Sequence, residues 1–154
     1  MKKLILLLCI LISKYTINNR TISKQGTGFY YIKEIDSLNE TAWLISNRHV
    51  FLPDETIPDT LFFHLRKKVD NRYFWHQVKI PKDSIIKNIK YFTDKRIDVA
   101  ALNVTAIFNK VFKENKELSF AFALTEKDMS ASAKFIPEVG DEILAIGYPK
   151  GFYQ

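Results

Sequence analysis

Cysteine is almost missing from this chain. Cys9 is the single one in 154 residues, so no internal disulfide can form and stability must come from packing. Glycine and proline are scarce too, at five each, which excludes a low-complexity or linker-rich chain. No internal repeat is present. The glycine patterns that cradle phosphates, Gly-x-Gly-x-x-Gly and Gly-Lys-Ser/Thr, do not occur. The N-terminal apolar run, Leu4 to Ile12, has nine residues, against the roughly 20 that a membrane-spanning helix needs. No stable membrane anchor is expected, and no cofactor or metal ligand set is implied. His64 and His76 lie mid-strand without a Cys or carboxylate at ligand spacing.

What remains is an ordinary globular balance: 47% hydrophobic, 26% charged and 14% aromatic residues. That is enough for one domain with a real core. The net charge of +6 is spread along the chain, with its densest point at Arg66-Lys67-Lys68, and reads as a solvated basic face. A basic barrel that binds nucleic acid is the weaker reading. Its motive is the basic and aromatic mixture from His64 to Lys79, and no nucleic-acid partner is expected. Met1-Lys2-Lys3 before the short apolar run has the shape of a secretory signal. Residues 1–14 are therefore expected to be a signal peptide and the protein to be secreted or periplasmic. The alternative is a cytoplasmic protein whose first strand is this run.

From Tyr15 onward the hydrophobic period is mostly two. Strands are expected over Tyr15–Ile22, Gly26–Ile32, Thr41–Ile45, Leu61–Arg66, Tyr73–Ile80 and Ile85–Tyr91. The run Ile97–Val104 is expected to be a fully buried strand. Phe51–Asp59, with Pro53 and Pro58, is a loop, and Val69–Arg72 a turn. About six short strands at regular spacing predict an all-β fold, a small closed barrel over residues 15–105. Residues 106–136 read as a partly helical linker, because Ile107, Phe108, Val111 and Phe112 share one helical face. Thr125–Asp128 resembles a capped turn. Glu142–Gly147 is a further strand, with no hairpin partner in the chain.

Two stretches carry the chemistry: Trp43-Leu44-Ile45-Ser46-Asn47-Arg48-His49-Val50 and Arg96-Ile97-Asp98-Val99-Ala100-Ala101-Leu102. Each sets one titratable residue at the edge of an apolar run. A general base and its orienting carboxylate need such a setting, with rigid strands behind and a cleft in front. His49 and Asp98 are 49 residues apart in sequence, so only the fold can bring them together.

Four segments occur in an order that resembles the bacterial trypsin-like serine peptidases, including the HtrA-like branch. They are Gly26-Thr27-Gly28-Phe29, Leu44–Val50, Ile97–Leu102 and Val139–Gly151. The resemblance runs from about Gly26 to the last residue. It implies two β-barrels with the active site between them. On that likeness the chain is the N-terminal barrel, and residues 137–154 open an incomplete second barrel. The resemblance also implies His49 as general base and Asp98 as its buried partner, hydrolysing a polypeptide substrate. The nucleophile of that family sits in a Gly-x-Ser-Gly-Gly loop. Ser13, Ser23, Ser37, Ser46, Ser84, Ser119, Ser130 and Ser132 all lie outside such a context, and the oxyanion hole built around the nucleophile is missing with it. The chain alone is thus expected to be inactive, to associate with the missing barrel or with itself, and to expose apolar surface around Ile143–Phe152. A non-catalytic, protease-like binding module is the alternative.

Overall fold

The computed structural model describes residues 9–36, 39–119 and 123–128. Its chain begins with a hairpin. Strand β1 (Cys9–Ile17) turns at Asn18-Asn19 into the long β2 (Arg20–Glu34). Both asparagines hold positive φ, 49° and 61°, the pair of left-handed residues that a two-residue hairpin turn requires. The single strand expected over Tyr15–Ile22 is therefore two strands, folded at the one dipeptide that tolerates this backbone. β1 lies between β2 and a second neighbour in the middle of the sheet, with Leu11 fully buried. Cys9–Ile17, which overlaps the C-terminal part of the expected leader, is a strand of this sheet.

β3 (Glu40–Ser46) returns against β2. A single turn, α1 (Arg48–Phe51), follows, and then a bend at Pro53–Glu55. β4 (Thr60–Val69) and β5 (Arg72–Pro81) make a second hairpin through Asp70-Asn71, again at positive φ (46° and 63°). Next come α2 (Lys82–Asn88), β6 (Ile89–Tyr91), β7 (Ala100–Asn103), α3 (Thr105–Glu114), β8 (Leu118–Ser119) and β9 (Ala123–Thr125). The strand order is β5-β4-β1-β2-β3-β7-β6, antiparallel throughout. β8 adds to β4, and β9 lies parallel to β2.

The protein is thus mostly β, as expected, but the ladder is not closed among the described residues. Its two ends, β5 and β6, are consecutive in the chain and are joined through α2. The stretch Ile85–Tyr91, expected to be strand, opens as helix. Helical winding there places Ile85 in the core and leaves Ile86 exposed. β-ladder hydrogen bonds give way to helical ones where closure would require them.

Alternation builds the interior. Leu61, Phe63 and Leu65 of β4, Val78 and Ile80 of β5, Leu44 of β3, and Ala100 and Leu102 of β7 are all buried in one cluster. Both end strands of the sheet contribute to it. The run Ile97–Val104 alternates rather than being wholly buried: Ile97 and Val99 are exposed while Ala100, Leu102 and Val104 are inside. α3 buries Phe108 into edge-to-face contact with Tyr30, Phe63 and Phe112, at centroid distances of 5.5, 5.6 and 5.6 Å. Its apolar face is the one the sequence predicts. α3, Leu118 of β8 and Ala123 of β9 therefore pack on the same core. The capped turn at Thr125 is present as well, with its N–H donating to Asp128 Oδ2 at 2.7 Å. The expected strand Glu142–Gly147 and the apolar surface at Ile143–Phe152 fall outside the described residues.

Candidate active site

The site forms where β3 and β7 run out together. Ser46 pairs with Ala100 at the end of the ladder. Continuing that register outward carries the chain after Ser46 alongside the chain before Ala100, which brings His49 to Asp98. His49 Nδ1 and Asp98 Oδ2 are 2.6 Å apart. The His49 backbone N–H donates to the other carboxylate oxygen, Oδ1, at 3.0 Å. Asn47 closes the third side: its Nδ2 donates to Asp98 Oδ2 (3.2 Å) and to the Asp98 carbonyl (3.1 Å).

These contacts decide the protonation pattern. Partial burial pushes the Asp98 carboxyl up, but the His49 backbone N–H, the His49 ring and the Asn47 amide together hold it below the usual aspartate value. An ionised carboxylate only accepts hydrogen bonds. His49 Nδ1 must then carry the proton, and in the neutral ring Nε2 keeps its lone pair. That is the tautomer a general base needs. The carboxylate is not buried as expected. The Asp98 side chain is 44% exposed and that of His49 69%, so the pair sits at the surface.

Several supports escaped the sequence reading. Arg48, the residue before His49, is buried. Its guanidinium donates to the Phe92 carbonyl at 3.0 Å, pairs with Glu55, and lies 4.8 Å over the Tyr91 ring. Its Nε is buried without a hydrogen-bond partner. Glu55 and Asp54 hold positive φ, 59° and 52°, so the bend that presents Glu55 is locally strained. Nothing in the spacing of Arg48 and Glu55 signals this bond, because the left-handed bend makes it. Ser13 and Ser46 brace the turn by donating to the carbonyls of Val50 (2.7 Å) and Thr27. Neither hydroxyl is therefore free to serve as a nucleophile. Gly26 and Gly28 are packing residues. A Cβ on Gly26 would lie 2.5 Å from Val50 Cγ2, and one on Gly28 2.7 Å from the Ile45 carbonyl oxygen.

Next to Asp98 in the chain, at the paired strands β6 and β7, a cavity of about 270 Å³ is lined by Lys90, Tyr91, Phe92, Val99, Ala100 and Ala101. Among the described residues no cluster of three His, Cys, Asp or Glu side chains is placed to hold a metal ion, and no helix is long and apolar enough to cross a membrane. Comparison with protein families, curated proteins and solved structures finds no match to this chain.

Proposed function

We propose that this chain is the histidine- and aspartate-bearing part of a trypsin-like serine endopeptidase. In that reading His49 takes the proton of a nucleophilic hydroxyl as it attacks a peptide carbonyl, and later returns it to the leaving amine. Asp98 fixes the ring and stabilises the imidazolium formed between those steps. One observation carries the reading: two residues distant in sequence meet through a two-point grip, ring nitrogen and backbone N–H on the two oxygens of one carboxylate. A casual surface ion pair needs only one such contact. The strand order supports the barrel half of the proposal, since β5 and β6 end the ladder yet share one core and are bridged by α2. The mainly apolar cavity at β6 and β7 suits an aliphatic or aromatic side chain of a bound polypeptide. The nucleophile and oxyanion hole would come from a second barrel. Secretion or a periplasmic location belongs to the same proposal.

The test is peptidase activity on a denatured protein substrate, read for this chain and for the product extended along its reading frame. This chain alone is expected to show none. The extended product should carry a serine or cysteine in a glycine-rich loop and cleave. His49→Ala should lower its kcat by about six orders of magnitude and Asp98→Asn by about four. Cleavage indifferent to His49→Ala, or a reading frame without such a loop, would refute the proposal. The non-catalytic alternative rests on two buried serines, Ser13 of β1 and Ser46 of β3, being committed to carbonyls. It predicts peptide binding without turnover in either form.

A further inference from the structure

The β4–β5 hairpin runs past the core it helps to build. Leu65 of β4 and Val78 of β5 are buried; Arg66, Lys67 and His76 beyond them are half-buried, with β8 paired along Arg66–Lys67, and Lys68 and Val69 on β4 and Arg72 to Trp75 on β5 are exposed. Three consecutive aromatics lie on that projecting arm. Tyr73, Phe74 and Trp75 are 54%, 52% and 51% exposed, an unusual concentration of apolar surface for an unpartnered segment. Among the described residues β5 pairs only with β4, so these three sit on the outermost strand of the sheet.

The register places a cation directly behind each ring. Arg66 pairs with Trp75, Lys67 with Phe74 and Lys68 with Tyr73, one strand spacing, about 4.8 Å, further in. Alternation turns Tyr73 and Trp75 to one face and Phe74 to the other. An edge-on approach therefore buries rings from both faces at once, with the cations carried on the neighbouring strand and at the turn. Arg72 adds a fourth cation at the turn, against the single carboxylate of Asp70. Lys67 also reaches Glu117 at 3.4 Å, which leaves Arg66, Lys68 and Arg72 as the main positive front.

We propose that this arm docks the protein edge-on, and reversibly, on an anionic lipid surface. Tyr73, Phe74 and Trp75 enter the interfacial layer while Arg66, Lys68 and Arg72 meet the lipid phosphates. Aromatics leading and cations following match the apolar-then-anionic layering of a leaflet. The outer backbone edge of β5, unpaired among the described residues, limits entry to the hydrated interface, since bare N–H and C=O groups are not tolerated deeper. A single-stranded nucleic acid fits less well. Stacking needs free ring faces, and Arg66 already covers Tyr73, its guanidinium 4.2 Å from the ring centroid.

The experiment uses the whole chain, with vesicles of phosphatidylcholine alone and vesicles mixed with phosphatidylglycerol. Co-sedimentation and tryptophan emission are the readouts. Partition is expected to be about tenfold or more stronger on the anionic vesicles, with a blue shift in emission. Phe74→Ser/Trp75→Ser should reduce that partition about tenfold or more. Lys68→Glu/Arg72→Glu should abolish the preference for anionic lipid, and Lys24→Glu, far from the arm, should change it little. The mutated positions on the arm are exposed, and an unchanged melting temperature for each variant keeps loss of binding distinct from loss of fold. Equal partition on both vesicle types, or full binding by the aromatic variant, would overturn the proposal. So would tight binding of single-stranded oligonucleotide that displaces vesicles, or lipid-independent dimerisation abolished by Phe74→Ser/Trp75→Ser. None of these outcomes depends on the peptidase reading.

Discussion

Asp98 is held by donors from two neighbouring residues, and their chain positions explain how. Asn47 precedes the one-turn helix and His49 is inside it, so their groups converge on one carboxylate because α1 starts where β3 stops. His49 and Asp98 were legible in the sequence, because a lone titratable residue at the end of an apolar strand is a conspicuous break in pattern. Asn47 and Arg48 were not, since a polar residue beside a helix turn carries no mark of the partner that the fold supplies. Of the glycines beside the site, Gly26 meets the Val50 side chain and Gly28 meets backbone. Gly28 makes the sharper test. Its missing side chain admits the Ile45 carbonyl oxygen, a backbone atom that cannot rotate away. Gly28→Ala should destabilise the protein by about 1–3 kcal/mol, read as a lowered midpoint in urea with an unchanged slope. An unaffected midpoint would show that β2 and β3 can part there without cost.

Among the elements, α3 and α2 show opposite sides of sequence reading. α3 was legible because Ile107, Phe108, Val111 and Phe112 form two pairs at helical i, i+4 spacing within a ten-residue helix. α2 was not, because seven residues with only Ile85 and Ile86 apolar suit either structure, and the choice is made by the buried site that receives Ile85. The Asn18-Asn19 turn was missed for a related reason. Asn-Gly is the familiar signal, and a second asparagine at positive φ carries the same geometry with less emphasis. α3 offers the larger energetic test. Phe108 is its one fully enclosed residue and meets three aromatic rings. Phe108→Ala should cost about 3–5 kcal/mol. It should also speed hydrogen exchange in the amides of α3 more than in the β1–β2 hairpin, which does not rely on this helix for its pairing. A uniform rise in exchange would mean that α3 and the sheet open only together.

At the scale of the whole molecule, charge decides how the fold meets acid. The chain carries 23 Lys and Arg against 17 Asp and Glu, so each carboxylate that takes a proton adds to an existing positive excess. Four aspartates are also held below their usual value. Lys82 and the Thr16 backbone N–H stabilise ionised Asp59, Arg96 stabilises Asp94, and Thr125 stabilises Asp128. At Asp98 burial works the other way and is outweighed by His49 and Asn47. The folded chain thus releases these protons at lower pH than the unfolded chain, whose aspartates titrate near 3.8. The unfolded state binds more protons in that window, so the contribution is present above the unfolded value and is lost as pH falls through the folded ones. Tm is expected to fall steadily from about pH 5 towards pH 2. Asp59 joins the start of β4 to β1 through Thr16 and to α2 through Lys82, and so ties one end of the open ladder to its centre. Asp59→Asn should therefore lower Tm at neutral pH and make its acid decline shallower, since the variant has one less depressed carboxyl to protonate. A decline as steep as that of the unaltered chain would mean that this carboxylate contributes nothing to the grip on β1 and α2, and that general repulsion among the cations drives acid unfolding.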